Sequence, residues 1–211
     1  MKGWKIMNIV ELLMFFNYNY EPEEQAFIQL SGKEERGIRD KVASSMHLKG
    51  KQVKREFTLP SGQTRSQIDL AVYNEADEVT DLIEFKLYYS WDLVWDHFFQ
   101  TGRIGRHIEK DFQKLIHSKL ECSKFIVVSV IHPKRSQPFS DNDIKYLPKS
   151  YFRDLNKYIQ TKGTDELDIE SCTNKINARL SHFYSEIVHI EHKLGTYREC
   201  AVDLHHWIMK I

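Results

Sequence analysis

Apolar and polar positions follow two different periods along this chain. From about Lys33 to His47, Ile38, Val42 and Met46 recur at helical spacing, and Ser31 with Glu34 three residues on reads as an N-cap with a capping box. Arg55 to Leu59 then alternates as a short strand and ends at the turn signal Pro60-Ser61-Gly62. Gln67 to Tyr73 alternates with Ile68, Leu70 and Val72 on one side and Asp69, Ala71 and Tyr73 on the other. After the loop Asn74-Glu75-Ala76-Asp77-Glu78, Asp81 to Leu87 alternates again, with Ile83, Phe85 and Leu87 opposite Leu82, Glu84 and Lys86. These two stretches predict a β-hairpin.

Helical spacing returns with Trp91, Trp95, Phe98 and Phe99, a stripe read as core packing. It breaks at Thr101-Gly102-Arg103-Ile104-Gly105-Arg106 and resumes with Ile108, Phe112, Leu115 and Ile116. Phe125 to Ile131 is a continuous apolar run rich in Val and Ile, the pattern of a strand buried on both faces. The order is helix, three strands, two helices, strand, which predicts an α/β core with helices against a central mixed sheet. Asp165 to Glu186 reads as helix, and Glu186 to Lys210 as a second hairpin around Leu194-Gly195-Thr196. The predicted organisation is an N-terminal helical extension (1–30), a core (31–139) and a C-terminal α+β elaboration (140–211) packed on the same domain.

Composition narrows the classes. Thirty Lys plus Arg against thirty Asp plus Glu give zero formal charge, which excludes a polybasic coat while leaving room for local basic patches. A hydrophobic fraction of 41% with 28% charged residues is that of a folded globular chain. Cys122, Cys172 and Cys200 are odd in number and widely spaced, so neither a disulfide framework nor a cysteine zinc site is expected. The apolar run Ile6 to Phe16 is broken by Asn8 and Glu11 and is too short to span a bilayer. It reads as a buried helix, and the expectation is a cytoplasmic protein without a membrane partner.

Chemistry concentrates on the first hairpin. Glu84 and Lys86 are two apart and share a face, and an antiparallel partner brings Asp69 to the same face. Two carboxylates beside an ammonium form a hard-oxygen site for a divalent cation, with Mg2+ the natural fit. Such an ion, with the lysine, suits attack of water on a phosphate. The Glu-x-Lys spacing alone is weak, since it recurs at Glu191-His192-Lys193. The second copy lacks an aspartate on the strand before it and reads as a solvated strand face. His189, His192, His205 and His206 cluster late in the chain, but adjacent strand residues such as His205 and His206 point opposite ways, which disfavours a histidine zinc site.

Ser66-Gln67-Ile68-Asp69-Leu70 followed by Leu82-Ile83-Glu84-Phe85-Lys86 resembles the core motif of the PD-(D/E)xK nuclease superfamily. The helix Glu35-Arg36-Gly37-Ile38-Arg39-Asp40-Lys41-Val42 resembles its first core helix. The resemblance spans about residues 31–132 and implies a restriction-endonuclease-like αβββαβ core. It implies Asp69 and Glu84 as metal ligands and Lys86 as the catalytic lysine. Glu35 would act through a metal-held water, and the Phe85 carbonyl would be a further ligand. Mg2+ is the implied cofactor, with Mn2+ able to substitute. Ile68 stands where the motif's proline often does, and no Gln-x-x-x-Tyr follows the lysine, which argues against the exonuclease-like branch. The expected function is a DNA endonuclease similar to type II restriction enzymes, with a homodimer suited to cutting two strands. The alternatives are a structure-selective repair or recombination nuclease and a non-catalytic DNA-binding or interaction module on the same fold. DNA contacts are expected from Lys54 and Arg55, in the basic stretch that includes Lys49 and Lys51, and from Arg103 and Arg106.

Overall fold

Alternation in the sequence becomes two-sided burial in space. The computed structural model describes residues 9–11, 13, 21–31, 35–60, 67–94, 104–140, 149–162 and 166–211, with backbone alone at 94, 104–106, 151 and 162. Helices α1 (Pro22–Ser31) and α2 (Glu35–Leu48) precede strands β1 (Gln52–Thr58), β2 (Gln67–Tyr73) and β3 (Val79–Tyr89). A short α3 (Ser90–Val94), α4 (Ile104–Ile116) and β4 (Ser123–Lys134) follow, then α5 (Lys149–Lys162) and α6 (Ile169–Leu180). The hairpin β5 (Glu186–Tyr197) and β6 (Cys200–Lys210) closes the order.

All six strands form one sheet in the order β1-β2-β3-β4-β6-β5. β3 and β4 run parallel and every other neighbouring pair is antiparallel, so the sheet is mixed. A parallel pair needs a crossover, and the segment carrying α3 and α4 supplies it. β4 lies between β3 and β6, with Phe125, Val127 and Ile131 in one apolar cluster and Ile126, Val128 and Val130 in another. Each residue of its apolar run therefore meets a helical layer, which is why the run does not alternate. One layer is built from α1, α2 and α5 through Ala26, Leu30, Ile38, Val42, Met46, Leu155 and Ile159. The other comes from α4 and α6 through Ile108, Phe112, Leu115, Cys172, Ile176 and Leu180.

The predicted first hairpin forms at its expected place. Asn74 Oδ1 accepts the N–H groups of Ala76 and Glu78 at 2.9 Å each, so the turn is held by a side chain standing in for backbone. Several expectations are corrected. Ser31 is the last residue of α1, its hydroxyl donating to the Ile28 carbonyl at 3.3 Å, so it does not cap the next helix. Residues 32–34, with the expected capping Glu34, lie outside the described residues. β1 begins at Gln52 and takes in Lys54 and Arg55 of the basic stretch. Ile68 packs with Phe57 and Leu59 in the α4/α6 layer, apart from Leu70 and Val72. Its departure coincides with Glu56, whose φ of +50° breaks the regularity of β1 beside it. Of the aromatic stripe, Trp91 is buried as expected, while Trp95, Phe98 and Phe99 lie outside the described residues.

The C-terminal hairpin also forms, but its turn is at Arg198-Glu199. Both residues have positive φ, 46° and 62°, the conformation that two-residue hairpin turns require. Gly195, the expected turn centre, marks a register irregularity within β5 instead. The predicted helix at 165–186 is the shorter α6, N-capped by Asp168, whose Oδ1 accepts the Ser171 N–H at 2.8 Å. α5 has no counterpart in the sequence reading. Among the described residues no helix is long and apolar enough to cross a membrane.

Gly195 has φ +134°, and a methyl group on it would overlap the carbonyl of Pro22 at the start of α1. Gly195→Ala is expected to destabilise the protein by about 1–3 kcal/mol, through backbone strain and displacement of α1. Urea denaturation at fixed pH, read as a lower midpoint with unchanged slope, checks this.

Candidate active site

The backbone ladder between β2 and β3 stops at Leu70 opposite Ile83. Beyond that point two N–H groups of β3 are taken by side-chain carboxylates. Phe85 N–H donates to Asp69 Oδ2 at 2.8 Å, and Leu87 N–H donates to Glu35 Oε2 at 3.0 Å. Buried donors must be paired, and here the pairing fixes two acidic side chains in place. Asp69 comes from β2, and Glu35 from the first turn of α2. The structure thus brings Glu35, Asp69, Glu84 and Lys86 to one fork in the sheet. Glu35 meets the backbone of β3 directly.

Glu84 is 2% exposed, against roughly a fifth of the side chain for Asp69 and Lys86. Burial pushes its carboxyl well above the usual range, and the neighbouring Asp69 carboxyl, within hydrogen-bonding contact, pushes it further. Lys114 opposes this through an ion pair with Glu84 Oε1. Burial also raises the Glu35 carboxyl, partly countered by Lys86. For Lys86, burial works against its charge, but Asp111, Glu35, Glu84 and Asp69 outweigh it, so its pKa is raised and it is an ammonium at neutral pH. Lys86 Nζ donates to the Phe85 carbonyl at 2.9 Å and pairs with Asp111 Oδ2 at 3.0 Å.

Three residues here were not singled out in the sequence. Asp111 and Lys114, one turn apart on α4, pair with each other at 3.2 Å, and Lys114 also donates to the Gln67 carbonyl at 2.8 Å. Their signal was only an i,i+3 pair opposite the apolar stripe of α4, which resembles any solvated pair. Arg39 is 8% exposed and links Asp40 at 3.1 Å, Glu56 at 3.4 Å and Asp69 at 3.7 Å. From α2, its guanidinium turns toward the strands.

Of the residues expected to touch nucleic acid, Lys54 and Arg55 are described with their side chains. Lys54 and Arg55 are exposed on β1, an edge strand, with Arg55 paired to Asp40 at 3.0 Å and Lys54 Nζ 5.8 Å from the centre of the Phe57 ring. Arg103 lies outside the described residues, as does the side chain of Arg106, whose backbone is in the first turn of α4.

The donor set around the fork fits a hard divalent cation: two adjoining carboxylates and the Phe85 carbonyl, all oxygen. Lys114 on Glu84 and Lys86 on Phe85 O supply positive charge at those same oxygens. The groups capable of general chemistry are therefore a buried carboxyl with raised proton affinity, a second carboxyl beside it and a charged lysine.

A carboxyl raised by folding makes the native state bind its proton more tightly than the unfolded chain does. Its contribution is most favourable below the unfolded value, about 4.5, and is lost as pH climbs through the higher native value. Glu84→Gln removes that loss. It is expected to flatten the decline in stability above mildly acidic pH and to raise stability near neutrality by about 0.5–2 kcal/mol. Urea melts of both proteins across pH check this, and a variant less stable than the parent at neutral pH would contradict it. Comparison of the chain with protein-family models, curated proteins and solved structures gives no match, so the reading of function rests on this geometry.

Proposed function

We propose that the protein is a metal-dependent nuclease that hydrolyses phosphodiester bonds in DNA, of the PD-(D/E)xK type, and that the fork is its active site. One observation carries the reading. Glu84, nearly inaccessible, is held against Asp69 at the mouth of a parted pair of strands, with Lys86 on the same face. Burying a carboxylate beside another is costly unless both are paired, and strongly perturbed groups concentrate at functional sites. A purely structural site would be better served by an apolar residue or a single ion pair.

In this reading Asp69, Glu84 and the Phe85 carbonyl hold Mg2+, which supplies Lewis-acid stabilisation to the phosphoryl oxygens. Lys86 acts as a cation. Its ammonium orients the attacking water and neutralises charge gathering on the phosphate, a role its raised pKa suits better than that of a base. Glu35, with enhanced proton affinity and one oxygen anchored on the Leu87 N–H, is placed to take the proton the water gives up. A divalent ion on Glu84 would take the place Lys114 now holds there, and Asp111 would remain as the partner of Lys114. Lys54 and Arg55 offer an exposed basic edge on the strand next to β2 for the nucleic-acid backbone. A cytoplasmic location and a homodimer that would cut both strands belong to the same proposal.

The test is cleavage of supercoiled plasmid with Mg2+. Conversion to nicked, linear or discrete products is expected, absent with EDTA and reduced about 10²–10⁴-fold by Lys86→Ala. Discrete bands would favour a restriction-type enzyme, and nicking or smearing a structure-selective one. An inert protein on plasmid, branched DNA and single strands, with either Mg2+ or Mn2+, would overturn the enzymatic reading in favour of a binding module.

A further inference from the structure

A second cluster of ligating side chains lies across the sheet from the fork, between the edge strand β5 and its neighbour β6. Glu191 stands directly opposite His205 in the β5–β6 register. Asp203 is two residues from His205 along β6, so all three project from one face. A ring nitrogen of His205 and a carboxylate oxygen of each of Glu191 and Asp203 lie within 4.8 Å of one another. Asp203 and His205 are each 2% exposed, while Glu191 is open to solvent.

The imidazole supplies an independent observation. His205 Nδ1 lies 3.2 Å from His189 Nε2, whereas His205 Nε2 is buried with no hydrogen-bond partner among the described residues. A buried ring nitrogen without a partner is costly, and a metal ion is one of the few groups that can satisfy it. If Nδ1 carries the proton and donates it to His189, Nε2 presents a lone pair, the usual outer arrangement for a metal-ligating histidine.

Asp203 is already engaged on one side: its Oδ2 meets Lys134 Nζ at 2.6 Å. Lys134 also pairs with Glu166 Oε1 at 3.0 Å, so the ammonium retains a partner if Asp203 turns its charge to a metal. His206, on the opposite face, contacts Ser129 at 2.7 Å and takes no part.

We infer that Glu191, Asp203 and His205 form a binding site for a borderline divalent ion of the Zn2+ class, which clamps edge strand β5 to β6. One imidazole with two carboxylates selects such an ion over Mg2+, which favours oxygen ligands alone. Three protein ligands leave a tetrahedral ion one position for water. The described residues of the fork include no histidine, so the two sites differ in the metal they prefer.

The experiment uses the full chain stripped with EDTA and dialysed, titrated with Zn2+ by calorimetry and with Co2+ by visible absorption. Expected are a site near 1:1, intense d–d bands typical of a low-coordinate Co2+ centre, and loss of both in His205→Gln. Because His205 is buried and that variant can fail to fold, Glu191→Gln on the exposed strand is the decisive one. It is expected to weaken Zn2+ binding at least tenfold, while Glu84→Gln leaves it unchanged. Equal affinity in the parent and Glu191→Gln would overturn the site. So would binding that disappears in Glu84→Gln, or the absence of Zn2+ binding by the folded parent.

Discussion

Two backbone N–H groups that the sheet leaves unpaired organise this molecule. Where β2 parts from β3, Phe85 and Leu87 lose their ladder partners and take Asp69 and Glu35 instead. A carboxylate that accepts a backbone N–H is held in one position by the fold itself, without relying on a flexible partner. That constraint draws α2 against the sheet and brings Asp69 to Glu84. Lys86, Asp111, Lys114 and Arg39 then gather as the positive and negative groups that make so much buried charge tolerable. The parting of the strands is thus the cause of the cluster, and the charges around it are its consequence.

The rest of the architecture makes this fork rigid. Among the described residues β3 and β4 are the only parallel pair, and both are enclosed by helices on two sides. Glu84 and Lys86 sit on a strand that cannot shift register without exposing Ile83 and Phe85 or burying its charges more deeply. α4 is anchored through Ile108, Phe112 and Leu115, which fixes the height at which Asp111 and Lys114 reach the strand. Placement of reactive groups on packed elements rather than on loops gives the precision that chemistry at a phosphate would need.

Local patterns were legible wherever they were also decisive. The alternation of Gln67–Tyr73 and Asp81–Leu87, with Asn74 between, marks a hairpin because side-chain period and turn chemistry agree there. Asp69, Glu84 and Lys86 could be placed on one face for that reason. Arg39, Asp111 and Lys114 could not, because their positions on helices are those of ordinary exposed pairs and only tertiary packing turns them inward. The N-cap expected at Ser31 was misread because a serine has the chemistry of a cap, yet this one ends the preceding helix and its hydroxyl donates back into it. The late hairpin was visible, but its glycine drew the turn three residues too early. The strand position of β6 was hidden as well. His205, His206 and Asp203 suggest a polar surface, and nothing local reveals that β6 pairs with β4 across most of its length.

β6 raises a question of order in time. It lies inside the sheet, between β4 and β5, but is synthesised long after β4. A nascent chain that has formed β3 and β4 carries a strongly apolar strand with one edge bare until residues near 200 leave the ribosome, on the order of several seconds later. In that interval β4 is a template for any other strand it meets. The central hydrophobic run that stabilises the finished fold is also the segment most in need of a chaperone while the fold is being made.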